Sequence, residues 1–315
     1  MDLSVVIVSY KGYGKLNKCL ESLASFIQGS FSMEVVVVNN NPGDELFRET
    51  ENRFPGFHFI HNKVNGGYSN GCNLGCSVAA GNYYLILNPD TIVKEEEITR
   101  LLDAARSNSS YYILSCRQVK ENGKESRAYG RFPWRRSSFT EQTGSRIIFP
   151  DWVSGSVMMM QKDVYRRLNG FDEDFWMYYE DVDLCLRARN SRGEVAFYND
   201  INIIHDHGAS SRTDPGTTAM AKCEVQISRH LFVHKHEKGL RRGVIQTLIA
   251  LDNAITGIIS GVAGLIFFFV PKLFVRSLLL IDLISYYQGS LVRRSWMSPR
   301  SVNYKKHLKH DKNRN

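Results

Sequence analysis

The sequence predicts an α/β fold with a mostly parallel central sheet, followed by an apolar helical region. Three observations carry that prediction. "LSVVIVSY" at 3–10 and "EVVVVNN" at 34–40 are β-branched runs without polar alternation, the composition of strands covered on both faces. Between them, 14–27 places Leu16, Leu20, Leu23 and Ile27 at helical spacing, so the chain reads strand, helix, strand. The same alternation then continues, and a sheet wound this way presents its ligands beyond the carboxyl ends of its strands.

The next elements follow from local pattern. "FHFI" at 57–60 reads as a third strand, Tyr68 to Ala80 as a helix, "YYLILN" at 83–88 as a strand, Lys94 to Arg106 as a helix and "YYILSC" at 111–116 as a strand. From Arg117 to Pro150 the pattern lapses, and "RFPWRRSSF" suggests a loop excursion or short hairpin. Regularity returns with a strand at 153–160, helices at 161–168 and 180–190, and strands at 194–198 and 201–205. After Pro215 the composition shifts to a polar helix over 217–238 and an apolar stretch over 244–292, broken by Pro271, Lys272, Arg276 and Asp282. The expected organisation is a domain over 1–215 with halves 1–116 and 117–215, an apolar helical region over 216–296 and a basic tail over 297–315.

Composition narrows the classes. With 315 residues, 43% hydrophobic and 23% charged, the chain can bury a full core. Its six cysteines form no C-x-x-C pair and the start lacks a leader pattern, which points to a reducing cytoplasm and no structural zinc. The formal charge is +8, and Arg293, Arg294, Arg300, Lys305, Lys306, Lys309, Lys312 and Arg314 concentrate positive charge at the end. No nucleic-acid-binding motif accompanies that tail, so an anionic lipid surface is the better partner. Asn253 to Val270 is uncharged and just long enough to cross a bilayer, but a helix lying in the interface, or a buried helical pair, also fits.

Familiar nucleotide signatures are absent. Gly12 and Gly14 are followed by Asn17 where G-x-G-x-x-G needs a third glycine, and neither a phosphate loop nor a G-x-S-x-G elbow occurs. Chemistry-bearing residues gather at strand ends instead. In "NGGYSNGCNLG", Asn65, Gly66, Gly67, Asn70, Gly71 and Asn73 offer close backbone approach and amide donors and acceptors, as a base or ribose requires, or simply a turn opening a helix. "LNPD" sets Asp90 beyond a buried strand, where it could hold a metal bridging two phosphates, or cap the next helix. "IIHDHGASS" places His205 and His207 on one side of a strand, candidates to complete that metal site. His230, His234 and His236 read as solvated residues of a charged helix.

"FDEDFWMYYEDVDLCLR" (171–187) sets six carboxylates among aromatic rings, an arrangement that suggests a pocket wall. Six acids in one wall would repel unless cations or sugar hydroxyls occupied them, and Trp176 or Tyr178 could stack on a sugar. Asp183 can pair with Arg187 four residues on.

The series "VVIVSY", "VVVVNN", "NGGYSNGCNLG", "LNPD", "DWVSGSVMMM", "NGFDEDFWMYYEDVDLCLR" and "HDHGAS", in this order over about Leu3 to Ser211, resembles glycosyltransferase family 2, in particular its rhamnosyltransferase-like branch of bacterial surface-polysaccharide synthesis. The resemblance implies a GT-A fold, a nucleotide-sugar donor, Mg²⁺ or Mn²⁺ and inverting displacement. It implies that Ser9, Tyr10, Asn39, Asn40, Asn65, Gly67, Tyr68 and Asn73 hold the nucleoside, with Asn39 standing where aspartate is common. Asn88-Pro89-Asp90 matches the family's D-x-D motif, leaving Asp90 as its carboxylate, and His205 matches the histidine of H-x-x-G-x-S. Asp181 falls on the catalytic base, with Glu180 beside it to bind acceptor hydroxyls or support the loop. Trp152, Gly155 and Ser156 match an acceptor-shaping motif. If the 180–190 helix begins there, its dipole should favour an ionised Asp181 of low pKa. The implied reaction moves a sugar, L-rhamnose from a dTDP donor or another sugar from a UDP donor, onto a polyprenyl-diphosphate-linked saccharide at the inner face of the cytoplasmic membrane. A non-catalytic scaffold of the same fold is the rival reading.

Overall fold

The structure is a computed structural model that describes residues 1–134, 144–206, 214–304 and 306. In chain order its elements are β1 (Leu3–Ser9), α1 (Tyr13–Ala24), β2 (Met33–Asn39), α2 (Leu46–Arg53), β3 (His58–His61), α3 (Gly67–Val78), β4 (Tyr83–Leu87), β5 (Thr91–Ile92), α4 (Glu95–Ser107) and β6 (Tyr111–Val119). There follow β7 (Glu125–Ser126), β8 (Tyr129–Gly130), β9 (Ile147–Ile148), β10 (Trp152–Val153), β11 (Val157–Gln161), α5 (Lys162–Arg167), α6 (Glu180–Asn190), β12 (Glu194–His205), α7 (Pro215–His236), α8 (Gly239–Ile266) and α9 (Pro271–Arg293). Two units are present, Met1–Asp172 with Glu180–Ala209, and Glu173–Tyr179 with Ser210–Asn315.

In the first unit the main sheet runs β3-β2-β1-β4-β11-β6-β12-β5. The pairs β2–β3, β1–β2, β1–β4 and β6–β12 are parallel, whereas β11 runs antiparallel to both β4 and β6. Mostly parallel pairing is therefore observed as expected, and its cause is the covering of both faces. Leu3, Val5 and Ile7 join a core with Leu16, Leu20 and Leu23 of α1 and Ile98, Leu101 and Leu102 of α4. On the opposite face α3 lies so close that a methyl group on Gly75 would sit 2.4 Å from Val6 Cγ1, and one on Gly71 2.6 Å from Val8 Cγ1. Two glycines one turn apart thus set the distance between helix and sheet.

Several local expectations change. The strand expected over 153–160 is two strands, β10 and β11, separated by Ser154, Gly155 and Ser156. The two strands expected near residue 200 are one, β12, whose register against β6 shifts between Tyr198 and Asn202. Polar Asn199 and Asp200 sit at that irregularity, and the main chain of Asp200 is held by Arg100, which is why the pattern reads as a break. Helix α2 lacks an apolar stripe in the sequence, burying Phe47 and Thr50.

The second unit is built on α7, α8 and α9. Asp214 caps α7 by accepting from Thr217 N at 2.8 Å, and Pro215 occupies its first turn. Here the expectation of solvated histidines fails at His230, which is fully buried. Its ring stacks on Trp296 with centroids 4.5 Å apart, bonds Gln246 through Nδ1 and lies 2.8 Å from Tyr287 Oη through Nε2. Burial lowers its pKa to about 4, so it is a neutral core residue.

Candidate active site

The parallel strands β1, β2, β4, β6 and β12 deliver Ser9, Asn39, Leu87, Val119 and His205 at their carboxyl ends. The turn after β4 carries Asn88 and Asp90, and Asn88 N donates to Ser156 O at 2.9 Å, which locks this turn to the start of β11. His205 closes the group from β12. Its Nε2 lies 3.1 Å from Asp90 Oδ1 and 3.4 Å from Asn88 Nδ2, and both His205 and Asp90 are buried. The other ring nitrogen, Nδ1, is 2.6 Å from Gln118 Oε1, which also accepts from Ser156 Oγ at 2.8 Å.

Gln118 is a site residue that the sequence reading missed. It is fully buried on β6, and its Nε2 has no hydrogen-bond partner among the described residues. The signal was present: in "YYILSCRQV" it continues the inward alternation of Leu114 and Cys116, where a polar side chain needs a reason. By contacting Nδ1 it orients the imidazole so that Nε2 points toward Asp90, the arrangement that typically positions a metal-binding histidine. No group of three or more His, Cys, Asp or Glu side chains is placed to hold a metal ion among the described residues. A carboxylate oxygen and an imidazole nitrogen, converging and buried, nonetheless fit Mg²⁺ or Mn²⁺ that takes its other ligands from phosphate oxygens and water. His207 lies outside the described residues. Asp206 ion-pairs with Lys15 at 2.6 Å, and its N donates to Asp90 O at 3.0 Å, so the chain beyond His205 is tied back to α1 and to the Asp90 turn.

A second group centres on Gly155. Its N donates to Asp181 Oδ2 at 3.0 Å, and its carbonyl accepts from Tyr68 Oη at 2.8 Å. One residue of the β10–β11 turn therefore links α6 to the first turn of α3. Asp181 Oδ1 accepts in addition from Val182 N at 2.8 Å. Glu180 is buried, and its Oε2 has no partner among the described residues. Burial, with the Asp181 charge beside it, lifts the Glu180 carboxyl well above the ordinary range. Burial raises Asp181 as well, while the N–H groups of Gly155 and Val182 pull it back. The expected low pKa is thus corrected: desolvation outweighs the N-terminal helix dipole. Both carboxyls are therefore shifted upward, Glu180 the more strongly.

The remaining expected residues divide by what their side chains do. Asn40 is spent on the protein, donating to Gly67 O at 2.9 Å and accepting from Asn62 Nδ2 at 2.9 Å, so it fastens β2 to the loop before α3. Asn65 Oδ1 accepts from Gly67 N at 3.2 Å. Asn39 Oδ1 accepts from Asn41 N at 2.9 Å. Asn73 grips the 170–171 turn, accepting from Tyr165 Oη and Phe171 N and donating to Phe171 O. Ser9 is different, since its buried hydroxyl has no partner among the described residues, and Tyr10 beside it is half-buried. Trp152 donates to Arg131 O at 2.9 Å and packs on Gly130.

The acidic stretch divides between the two units. Asp183 is buried and paired to Arg187 at 2.7 Å, as the spacing suggested. Asp174 belongs to the second unit, where it meets Lys235 at 2.5 Å and Asn303 at 2.8 Å. Trp176 is buried in that unit with the Arg300 guanidinium 5.9 Å from its ring, and Tyr178 lies in the same segment with a positive φ of 70°. Asp183 and Asp174 thus have separate cationic partners, whereas Glu180 and Asp181 stay side by side and repel.

Comparison with known proteins agrees with this architecture. The sequence model for glycosyl transferase family 2 matches residues 4–168, and one described as the N-terminal domain of galactosyltransferase matches 136–207. A low-salt glycan biosynthesis hexosyltransferase of Haloferax volcanii is 30% identical over 223 residues, covering 65% of this chain and 67% of the relative. Rhamnosyltransferase WbbL of Escherichia coli is 25% identical, covering 64% of this chain and 82% of the relative. An N-acetylglucosaminyl-diphospho-decaprenol L-rhamnosyltransferase of Mycobacterium tuberculosis is 25% identical, covering 78% and 88%. Among solved structures, GalNAc-T7 with UDP, GalNAc and Mn²⁺ aligns with a TM-score of 0.55 at 13% identity, over 72% of this chain and 48% of that one. TarS of S. aureus aligns with a TM-score of 0.51 at 16% identity, over 76% of this chain and 41% of that one. This chain therefore spans less than half the length of either structure, and at these identities the likeness is one of fold. On its sequence match and its mostly parallel, GT-A-like sheet, the chain belongs to glycosyl transferase family 2.

Proposed function

We propose that this protein is an inverting glycosyltransferase that moves a sugar, L-rhamnose from dTDP-L-rhamnose as the first choice, onto a polyprenyl-diphosphate-linked saccharide in surface-polysaccharide synthesis. It would act from the cytoplasm as a peripheral protein of the inner membrane face. The observation that carries the reading is Asp181, a carboxylate made more basic by burial and aimed by the Gly155 and Val182 N–H groups. Asp181 accepts the proton of the incoming hydroxyl as the bond to the anomeric carbon forms and the bond to the diphosphate breaks. Burial and the neighbouring Asp181 charge push the Glu180 carboxyl up, which favours its protonated form as a hydrogen-bond donor beside Asp181.

Asp90 and His205 would hold a divalent cation, which when bound neutralises charge building on the leaving diphosphate. Asn88 and Gln118 keep those two side chains in place. Ser9, Tyr10, Asn39, Asn65, Gly67 and Tyr68 line the route for the nucleoside, with Ser9 Oγ the hydroxyl best placed by its lack of an internal partner among the described residues. Asn40 and Asn73 shape that route from behind. Trp152, Gly155 and Ser156 are assigned to the acceptor side.

The hexosyltransferase relative and the galactosyltransferase match favour a second reading with a UDP-sugar donor. Calorimetric titration with dTDP and with UDP in the presence of Mn²⁺ separates the two. Tighter dTDP binding is expected; tighter UDP binding would move the assignment to a UDP-hexose, and absence of binding to either would sink both.

A further inference from the structure

The second unit exposes an apolar surface that its own helices leave uncovered. On α8, Leu248, Leu251, Ile255, Ile258, Ile259 and Val262 recur at helical spacing and are all about half exposed or more. At the turn into α9, Phe267, Phe268 and Phe269 are 47%, 67% and 69% exposed. A helix whose apolar stripe faces outward needs a cover, and this one carries its own indication of what that cover is.

The two helices are antiparallel neighbours. Gly264 lies against Leu273 and Ser277, Gly261 against Leu280, and Asn253 donates to Tyr287 Oη at 2.9 Å. On α9, Leu283 and Tyr286 are buried with Cys223 and Ile227 of α7. Counting back along the same stripe from Ser290 through Tyr286, Leu283 and Leu279 reaches Arg276 and Lys272, both exposed. These two cations therefore stand on the α7 side of the hairpin, while Phe274, Ile281 and Ile284 stand on the other. The apolar residues of α8 likewise lie opposite Ile245, Ile249 and Asn253, the buried side. Hence the hairpin is a slab with one greasy face and cations on its back and edge.

By length and composition α8 could cross a bilayer. Its partner could not. Because α9 runs alongside α8, crossing would carry both helices into hydrocarbon, yet α9 holds Lys272, Arg276 and Asp282, and its longest uncharged run, 283–292, is half of the roughly 20 residues a span requires. We infer that the α8–α9 hairpin lies in the plane of one leaflet of an anionic phospholipid bilayer, with the outward face of α8 and the Phe267–Phe269 turn among acyl chains. Lys272 and Arg276 reach up to lipid phosphates, joined at the open end of the hairpin by Arg242 and Arg293. This deepens the membrane part of the proposed function and rests on it for its purpose.

The test uses the full chain and sealed vesicles of phosphatidylglycerol and phosphatidylcholine. A spin label is placed at Phe268→Cys and, separately, at Lys272→Cys; the native cysteines are all buried, and labelled wild-type protein supplies the background. The label at 268 is expected within the acyl region of the near leaflet and the label at 272 at headgroup depth. Lys272→Gln with Arg276→Gln is expected to weaken binding to anionic vesicles by about 30-fold and to leave binding to neutral vesicles unchanged. Reaction of the unlabelled Phe268→Cys variant with an impermeant thiol reagent sealed inside the vesicles would overturn the in-plane arrangement. So would a stable dimer formed through this face without lipid binding. Failure to bind vesicles, with sugar transfer to a soluble acceptor intact, would overturn the inference while leaving the transferase standing.

Discussion

Replacing Asp181 by asparagine isolates proton removal from everything else the site does. The side chain keeps its shape, and its carbonyl oxygen can still accept from Gly155 N or Val182 N, now at 3.0 and 2.8 Å from the carboxylate. Trading charge-assisted for neutral hydrogen bonds costs about 1 kcal/mol each, and removing a carboxylate that burial disfavours acts in the opposite direction. Folding stability should therefore move little, by no more than a few degrees in Tm. Loss of the base should lower kcat by about 10²- to 10⁴-fold, roughly 3–5 kcal/mol in the barrier. The assay pairs turnover of nucleotide sugar with calorimetric nucleotide affinity and thermal unfolding on the same preparation. Turnover within tenfold of wild type would refute the role of Asp181. A parallel collapse of nucleotide affinity would show that the residue builds the donor site instead.

Three further perturbations address the supporting structure. Gln118→Leu removes the contact to His205 Nδ1, and Mn²⁺ affinity, read by electron paramagnetic resonance with nucleoside diphosphate present, should fall about 10- to 100-fold; unchanged affinity would deny Gln118 its positioning part. Gly75→Ala drives a methyl group toward Val6 Cγ1 and should cost about 1–3 kcal/mol in denaturant unfolding, whereas Gly14→Ala, in open space on α1, should cost nothing. Glu180→Gln tests linkage: a carboxyl raised in the folded state binds more protons there than when unfolded, so wild-type stability falls as pH rises above about 4.5, and Tm of the variant should decline less over that range. A steeper decline in the variant would place the buried proton elsewhere.

Much of the first unit could be read from sequence because its strands are covered on both faces, and such burial leaves β-branched runs like "VVIVSY" and "VVVVNN" that few other structures tolerate. Element ends were less legible where polar residues serve packing, as at Asn199 and Asp200 in β12. Asp90 and His205 could be singled out as candidates because they stand at or just beyond strand ends, and Asp181 because it opens a helix. The site was obscure where an amide works from inside: Asn40 and Asn73 look like ligand-binding residues in a loop sequence, yet their side chains fasten one backbone segment to another. Gln118 fell just past the strand expected over 111–116, in the stretch where the pattern lapses, whereas β6 runs on to Val119. His230 failed for the converse reason, since it stands among polar and charged residues in sequence while its ring turns inward onto Trp296. Periodicity assigns faces to apolar residues more securely than to polar ones, whose burial depends on a partner far along the chain.

The most direct measurement is the anomeric configuration of the product, determined by NMR after incubating the full chain with dTDP-L-rhamnose, Mg²⁺ and a polyprenyl-diphosphate-linked saccharide. A lipid-linked product of inverted configuration, made by wild type and absent with Asp181→Asn, is expected. Retention of configuration, or transfer that survives the substitution, would contradict a reaction driven by the Asp181 carboxylate.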